Sequence, residues 1–286
     1  MPSSDVVSQS YVERAPLPAL AGAVSSVWIQ HVAPGADPHT QRHIPTGGVD
    51  VLCKVGAAPR IVGPHTGPRV EVLAPGTTTI GLRFRPGAAP AALGLPASEV
   101  ADLELDAGEL WGDAGEALAE SVASAASAEA ALSALERDVA GRMARAAPPD
   151  PLIAEAVRQL HWRSEDISSL TESLYISERQ LRRRFQEAVG FAPKAVHRTL
   201  RFQEFLAIVQ YAIAAGRAPT DDGVARLAAE AGYADQSHLH RECLRLTGLT
   251  PREFLGATEA ACACGHDHSA SFAPLLRSRP RPPAAP

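Results

Sequence analysis

The chain has 286 residues, more than one typical domain needs, and is 45% hydrophobic, 21% charged and 5% aromatic, which excludes a chain disordered throughout and argues for a folded body. Its net charge of -5 is uneven: residues 1–150 carry 10 Lys+Arg against 17 Asp+Glu, whereas 151–286 carry 17 against 15, so any polyanion belongs to the second half. Four cysteines, an N-terminal MPSSDVVSQS without the basic-then-apolar order of a signal peptide, and a most apolar helical stretch (205–215) interrupted by Gln210 predict a cytoplasmic protein with no membrane span.

Residues 1–10 are expected to be a flexible start. From 11 to about 106 the sequence breaks into short extended runs, AVSSVWIQHV, GGVDVLCKV, RIVGP, RVEVLAP and TTTIGLRFRPG. Alternating β-branched residues cut by Gly and Pro predict a β-rich domain, barrel- or cupin-like or a sandwich. Between 107 and 146, apolar residues at helical spacing (Leu118, Val122; Leu132, Leu135, Val139) predict two amphipathic helices. The stretch AAPPDP then stops one helix and starts another, which sets a domain spanning 11–147 apart from one spanning 148–256. The second domain reads as helical throughout. Ser177 with Gln180 makes a capping box, Thr250–Pro251–Arg252–Glu253 a second helix start, and Asp166 and Asp235 further N-caps. Residues 257–286, rich in Ala, Pro and Ser, are expected to be a disordered tail. The fold class is α+β: a β-rich domain with following helices, then an all-α unit.

The helical half repeats itself. A shift of 58 residues superposes Leu181 on Leu239, Arg183 on Arg241, Phe185 on Cys243, Gly190 on Gly248 and Pro193 on Pro251. Each copy reads as a short helix (166–174; 223–231), a tight turn and a second helix (177–189; 235–247) closed by Gly. That is the helix-turn-helix pattern, whose second helix enters the major groove of DNA. Leu181, Phe185 and Val189 in one copy, and Leu239, Cys243 and Leu246 in the other, form buried stripes. Arg179, Arg182, Arg183 and Gln186, and then Gln236, Ser237, His240 and Arg241, are left to face DNA, where guanidinium pairs with guanine and carboxamide with adenine. For Arg183 and Arg241 a phosphate or structural contact is the stronger reading. Residues 177–205 hold seven Lys+Arg against three Glu, the main basic footprint of the chain.

The series Ser177, Arg179, Leu181, Arg183, Phe185, Gly190 and Pro193, followed by Gly232, Tyr233, Asp235, Ser237, Leu239, Arg241, Cys243, Gly248 and Pro251, resembles the AraC/XylS family of transcriptional regulators over residues 151–256. The resemblance implies two helix-turn-helix units joined by a long helix, about 193–215, reading two successive major-groove segments. Leu239 and Cys243 depart from it, replacing aromatics and shrinking the expected second core. The stretches YVERAPLPALAGAVSSVW, HIPTGGVDVL, VGPHTGP and IGLRFRPGAAPAALG are similar, less specifically, to a β-rich domain fused to such regulators, which implies effector binding or dimerisation. Double-stranded DNA, a small-molecule effector, a homodimer partner and, for an activator, RNA polymerase follow as expected partners.

Other constellations are weaker. His31, His39, His43 and His65 lack the His-x-His with a following Glu of a cupin metal site, and read as structural or surface residues. Cys53 on an apolar strand reads as a small buried hydrophobe more than as an alkyl acceptor. Arg83 and Arg85 suit salt bridges better than an anionic effector. Cys262, Cys264, His266 and His268 alternate zinc or copper ligands over seven residues without matching a standard finger. The expectation is a regulator and not an enzyme; the alternatives are a metal-responsive regulator using this tail, and a DNA-repair or cupin enzyme fused to a DNA-binding domain.

Overall fold

The structure is a computed structural model and describes residues 9–163, 167–217 and 223–262. The first domain contains β1 (Gln9–Arg14), β2 (Val24–Val32), β3 (His39–His43), β4 (Asp50–Lys54), β5 (Arg60–Val62), β6 (Arg69–Leu73), β7 (Thr78–Phe84) and β8 (Glu104–Asp106). Six of these form an antiparallel sheet in the order β1-β2-β7-β4-β5-β8, and β3 pairs with β6 as a separate ribbon. Helix α1 (Pro90–Leu93) precedes β8, and α2 (Ala107–Trp111), α3 (Asp113–Ala123) and α4 (Ala128–Arg145) follow it.

Strand alternation divides this domain into an apolar and a polar layer. Val27, Val51, Cys53, Ile61, Ile80, Leu82 and Phe84 pack with Leu118, Val122, Leu132, Leu135 and Val139 of the helices. Trp28, Leu52 and Val62 lie in a separate cluster with Tyr11. Gly81 stands opposite Trp28 in the β2–β7 register, and a Cβ there would lie 2.2 Å from Trp28 Cζ2; only glycine lets the indole lie flat across the sheet. The ribbon is tied to the sheet by Gln30 Nε2 donating to Gln41 Oε1 (2.8 Å) and by Lys54 against Glu71 (2.7 Å).

The second domain is all-helical: α5 (Pro151–Arg163), α6 (Ile167–Leu174), α7 (Glu178–Val189), α8 (Pro193–Ala214), α9 (Val224–Glu230), α10 (Gln236–Thr247) and α11 (Pro251–Cys262). Leu170, Leu181, Phe185, Val189, Val196 and Leu200 belong to one core, built on α5. Leu227, Leu239, Cys243 and Leu246 belong to the other with Phe202, Phe205 and Phe254. The first half of α8 therefore belongs to one unit and its second half to the next.

The domains touch at several points. Gln203 Nε2 donates to Pro45 O at 2.6 Å. Gly87, at φ +90°, leaves room for Ile153, whose Cγ2 would stand 3.1 Å from a Cβ there. Arg184 pairs with Asp150 at 3.2 Å, fastening α7 to the segment that joins the domains.

Several boundaries differ from the sequence reading. β1 begins at Gln9, inside the start expected to be flexible, and β3, β8 and α1 lie where no element was expected. The region 107–146 holds three helices and not two, because Gly112 takes φ +55° and breaks the first. α11 runs on to Cys262, past the expected end at 256. Asp166 lies outside the described residues.

Candidate nucleic-acid interface

The two candidate reading helices, α7 and α10, are built by the same local chemistry. Ser177 Oγ accepts from Gln180 N (3.3 Å) while Ser177 N donates to Gln180 Oε1 (3.0 Å), and Asp235 Oδ1 accepts from His238 N (2.6 Å); each bond satisfies an otherwise orphaned amide at a helix start. Both helices end on a left-handed glycine, Gly190 at φ +89° and Gly248 at φ +72°, which closes the last turn and lets the chain reverse into the next helix.

Arg179, Arg182, Arg183 and Gln186 are all exposed, and so are Gln236, Ser237, His240 and Arg241. At 100° per residue the first four cover about 100° of arc on the side of α7 away from Leu181. The 58-residue shift carries them onto Ser237, His240, Arg241 and Leu244, so Leu244, 41% exposed, occupies the position of Gln186. Sequence reasoning passed over it because it is apolar, although the repeat pointed to it. Gln236 corresponds instead to Glu178 and lies to one side of this face, in the first turn.

The basic residues of the first unit sort by their partners. Arg183 faces Glu187 at 3.8 Å with both side chains mostly in water, a pair of little energetic weight that a phosphate can replace. Arg184 is committed to Asp150. Arg201 lies beside His197 Nε2 at 3.2 Å and over the Tyr233 ring at 5.9 Å, binding the second unit's core to α8. The basic side chains exposed on this side of the first unit are therefore Arg179, Arg182 and Arg183, with Lys194 exposed at the start of α8.

The second core keeps aromatic volume despite Leu239 and Cys243. Phe202 packs against Phe205 (5.8 Å between centroids) and Phe254 (5.4 Å), and Phe205 meets Tyr233 edge-on at 6.3 Å. Aromatics from α8 and α11 thus fill space that Phe185 fills from within the recognition helix of the first unit. Burial pushes the Cys243 thiol up to about 11, with Thr247 Oγ1 3.6 Å away.

The remaining constellations of the first domain resolve into structure. Cys53 is buried, and burial holds its thiol at about 11; a neutral, enclosed thiol is a poor acceptor of alkyl groups. Arg83 forms a fork with Asp50, while Arg85 follows directly on the end of β7. Between sheet and ribbon lies a charged chamber where each carboxylate faces a cation: Asp50 faces Arg83, Glu71 faces Lys54 and Arg60, and Glu104 faces Arg60 and Arg69. Burial lowers the pKa of both His43 and His65 there. His31 contacts Thr78 Oγ1 at 2.9 Å, and His65 Nδ1 donates to Gly67 O at 2.6 Å. Among the described residues no cluster of three or more His, Cys, Asp or Glu is arranged for a metal. Cys264, His266 and His268 fall outside the described residues, as does the Cys262 side chain.

A second cavity, of 320 Å³, opens between the domains. The first domain contributes Ser25, Ser26, Phe84, Arg85 and Pro86, and the second Ala154, Val157, His161, Leu200 and Gln203. Its size is within the range of small-molecule sites, which favour domain interfaces.

Comparison with known proteins agrees with this division. Residues 170–257 match a family model described as a helix-turn-helix domain, and residues 12–106 match one described as a domain of unknown function, DUF6597. No curated protein matches the chain. Among solved structures, an apo variant of ToxT from Vibrio cholerae strain SCE256 is 11% identical, covering 87% of this chain and 97% of its own at a TM-score of 0.43. A structure of ToxT from Vibrio cholerae at 1.65 Å resolution is 9% identical over the same shares at 0.40, and unsaturated fatty acid bound wild-type ToxT is 10% identical over 86% and 94% at 0.40. No helix among the described residues is long and apolar enough to cross a membrane.

Proposed function

We propose that this DNA-binding transcription regulator, whose residues 170–257 form a helix-turn-helix domain of the AraC type, reads two successive major-groove segments and answers to a small molecule. The observation that carries the reading is the duplicated face: Arg179, Arg182 and Arg183 on α7, and Ser237, His240 and Arg241 on α10, exposed at equivalent positions on helices with matching caps. Such a pair suits an operator with two half-sites about one helical turn apart. The module is a DNA-binding one, and the chain is read as a regulator and not as an enzyme. Self-association through the β-rich domain, and contact with RNA polymerase where the protein activates, belong to the same proposal.

The interdomain cavity is the seat proposed for the effector. Its walls come from both domains, so a ligand filling it changes the free energy of their docking, which is the differential interaction a switch requires. Phe84, Pro86, Ala154, Val157 and Leu200 suit an apolar body, and Arg85 with the serines suits a polar end. In the charged chamber the ionic groups already satisfy one another, which makes it a weaker candidate.

The test is selection of duplexes from a random pool by the full chain, followed by affinity measurements for alanine variants. Enrichment of a bipartite site, with Arg182→Ala losing preference in one half and His240→Ala in the other, supports the reading; loss over the same bases by both variants overturns it. For the cavity, the unaltered protein should bind the amphipathic dye 1-anilinonaphthalene-8-sulfonate, and Val157→Trp should abolish that binding. Dye binding unchanged by this substitution places the effector site elsewhere.

A further inference from the structure

One short segment of the first domain touches the ends of both recognition helices. Residues 64–68, PHTGP, join β5 to β6. A Cβ at Gly190, the C-cap of α7, would stand 2.8 Å from Pro64 Cγ. A Cβ at Gly248, the C-cap of α10, would stand 3.5 Å from Pro68 Cγ and 3.6 Å from Arg42 Nη1. Arg42, on β3 beside this segment, donates from Nη1 to Thr247 O at 2.8 Å. That carbonyl lies in the last turn of α10, where a cation offsets the negative end of the helix dipole. The two glycines are the same position in the 58-residue repeat, so the segment meets the two units at equivalent points, four residues apart in its own sequence.

The segment is held stiffly. Prolines fix φ at both ends. Asp102 accepts from Thr66 N at 3.0 Å, and Asp102 N donates to Pro64 O at 2.9 Å. His65 donates across the turn to Gly67 O at 2.6 Å. Gly63, just before the segment, runs so close to the chain at Val100 that a Cβ would stand 1.6 Å from its carbonyl oxygen. Five residues span at most about 14 Å between their end Cα atoms, so with the two proline contacts the caps lie within roughly 28 Å of each other. Successive major-groove segments are about 34 Å apart along straight DNA. α8 joins the two units at their base, and the segment adds a second attachment at each cap.

We infer that residues 64–68, together with Arg42, are a rigid spacer that fixes the distance between the two recognition helices and thereby selects the spacing of the two half-sites in the operator. Pro64, Pro68 and Arg42 are positioning residues, touching the readers and not the DNA. The inference rests on the reading of α7 and α10 as DNA readers and assigns to the β-rich domain a specific part in sequence recognition.

The experiment uses the full chain. A bipartite duplex selected by the unaltered protein is remade with one or two base pairs added or removed between the halves, and affinities are measured for the unaltered protein, for Arg42→Ala, and for a variant with one glycine inserted between Gly67 and Pro68. The unaltered protein should lose at least tenfold for every change of spacing. Both variants should flatten this profile toward longer spacings, losing about five- to tenfold on the original duplex while keeping affinity for an isolated half-site within twofold. The Arg42→Ala variant removes a single part-buried hydrogen bond and inserts nothing into the chain, so it keeps the test valid if the insertion fails to fold. A spacing profile identical to that of the unaltered protein, or an equal loss at every spacing and on the half-site, overturns the spacer. Failure of the unaltered protein to select any sequence overturns the DNA-binding reading itself, a distinguishable result.

Discussion

Arg83 and Asp50 stand opposite each other across the β4–β7 ladder and are joined by two parallel hydrogen bonds of 2.9 Å each. The guanidinium also lies 5.3 Å from the centre of the Trp28 ring. Burial opposes its charge, but the Asp50 carboxylate more than compensates and holds the group protonated. Asp50→Asn leaves that charge with half its fork, and because the pair keeps some water contact the expected loss is about 2 kcal/mol of folding stability, below the range for a fully enclosed pair. Urea unfolding with an unchanged slope and a lower midpoint is the expected signature; an unaltered midpoint assigns the pair no structural weight.

The same chamber makes stability depend on pH. Burial is the main cause of the lowered pKa of His43 and His65, acting on groups that also face Asp50, Glu71, Arg69 and Arg83. Both rings therefore stay neutral in the fold at a pH where they begin to protonate in the unfolded chain. The unfolded state then binds more protons, so stability is full above about pH 6.5 and falls as pH drops below it toward the folded-state values. His43→Gln with His65→Gln should flatten this slope below about pH 6.5. A slope as steep as in the unaltered protein would falsify the assignment to these two rings.

Leu244 lies on α10 where Gln186 lies on α7 and is 41% exposed. An apolar side chain on a reading face suits a thymine methyl. Leu244→Ala should reduce preference for thymine at one operator position by about 1 kcal/mol, and Leu244→Gln should move that preference toward adenine. Binding to duplexes substituted one base at a time decides the matter, and unchanged preference at every position removes Leu244 from the reading face.

The recognition helices were legible in the sequence because their signals are local. Ser177 with Gln180, Asp235, and the glycines at 190 and 248 each solve a helix-end problem within a few residues, and the 58-residue shift exposed them twice. β3 (HTQRH) and β1 (QSYVER) were not legible as strands. One belongs to a ribbon over a charged chamber and the other lies at a sheet edge, so neither shows apolar alternation. The break at Gly112 depends on a backbone angle that composition does not encode. Nor could the sequence show that the two prolines of PHTGP meet equivalent glycines more than 120 residues away, since that relationship exists only once both domains are folded and docked.

Cys243 shows how the two cores reach similar packing by different routes. Phe185 fills the first core from its own recognition helix, whereas at the matching position of the second, Phe202 and Phe254 supply the bulk and leave room for a thiol. Cys243→Phe should therefore overpack and destabilise by about 1 to 3 kcal/mol, although it restores the residue found in the first copy. Phe185→Cys should open a cavity and cost about 2 to 4 kcal/mol. Thermal unfolding of both variants tests this, and a stabilised Cys243→Phe protein contradicts the packing described.

The arginines of α7 make the last separable prediction. Arg182 is exposed on the flank of the Leu181 stripe, whereas its neighbour Arg184 is tied to Asp150 at 3.2 Å. Both carry one positive charge two residues apart, so a general electrostatic attraction would treat them nearly alike. Direct phosphate or base contact would not. Each neutralised phosphate contributes about -0.9 to the slope of log affinity against log salt. Arg182→Ala should therefore lower the magnitude of that slope by roughly one when it contacts a phosphate, or keep the slope and lose base preference when it contacts a base. Arg184→Ala should leave slope and preference alone and lower folding stability instead, because Asp150 loses the cation that fastens α7 to the interdomain segment. Binding isotherms between 50 and 200 mM salt, on the order of the range where this term is large, together with unfolding of each variant, distinguish the two residues. Equal slope changes for both would mean that α7 attracts DNA through diffuse charge and not through a face fixed by its packing.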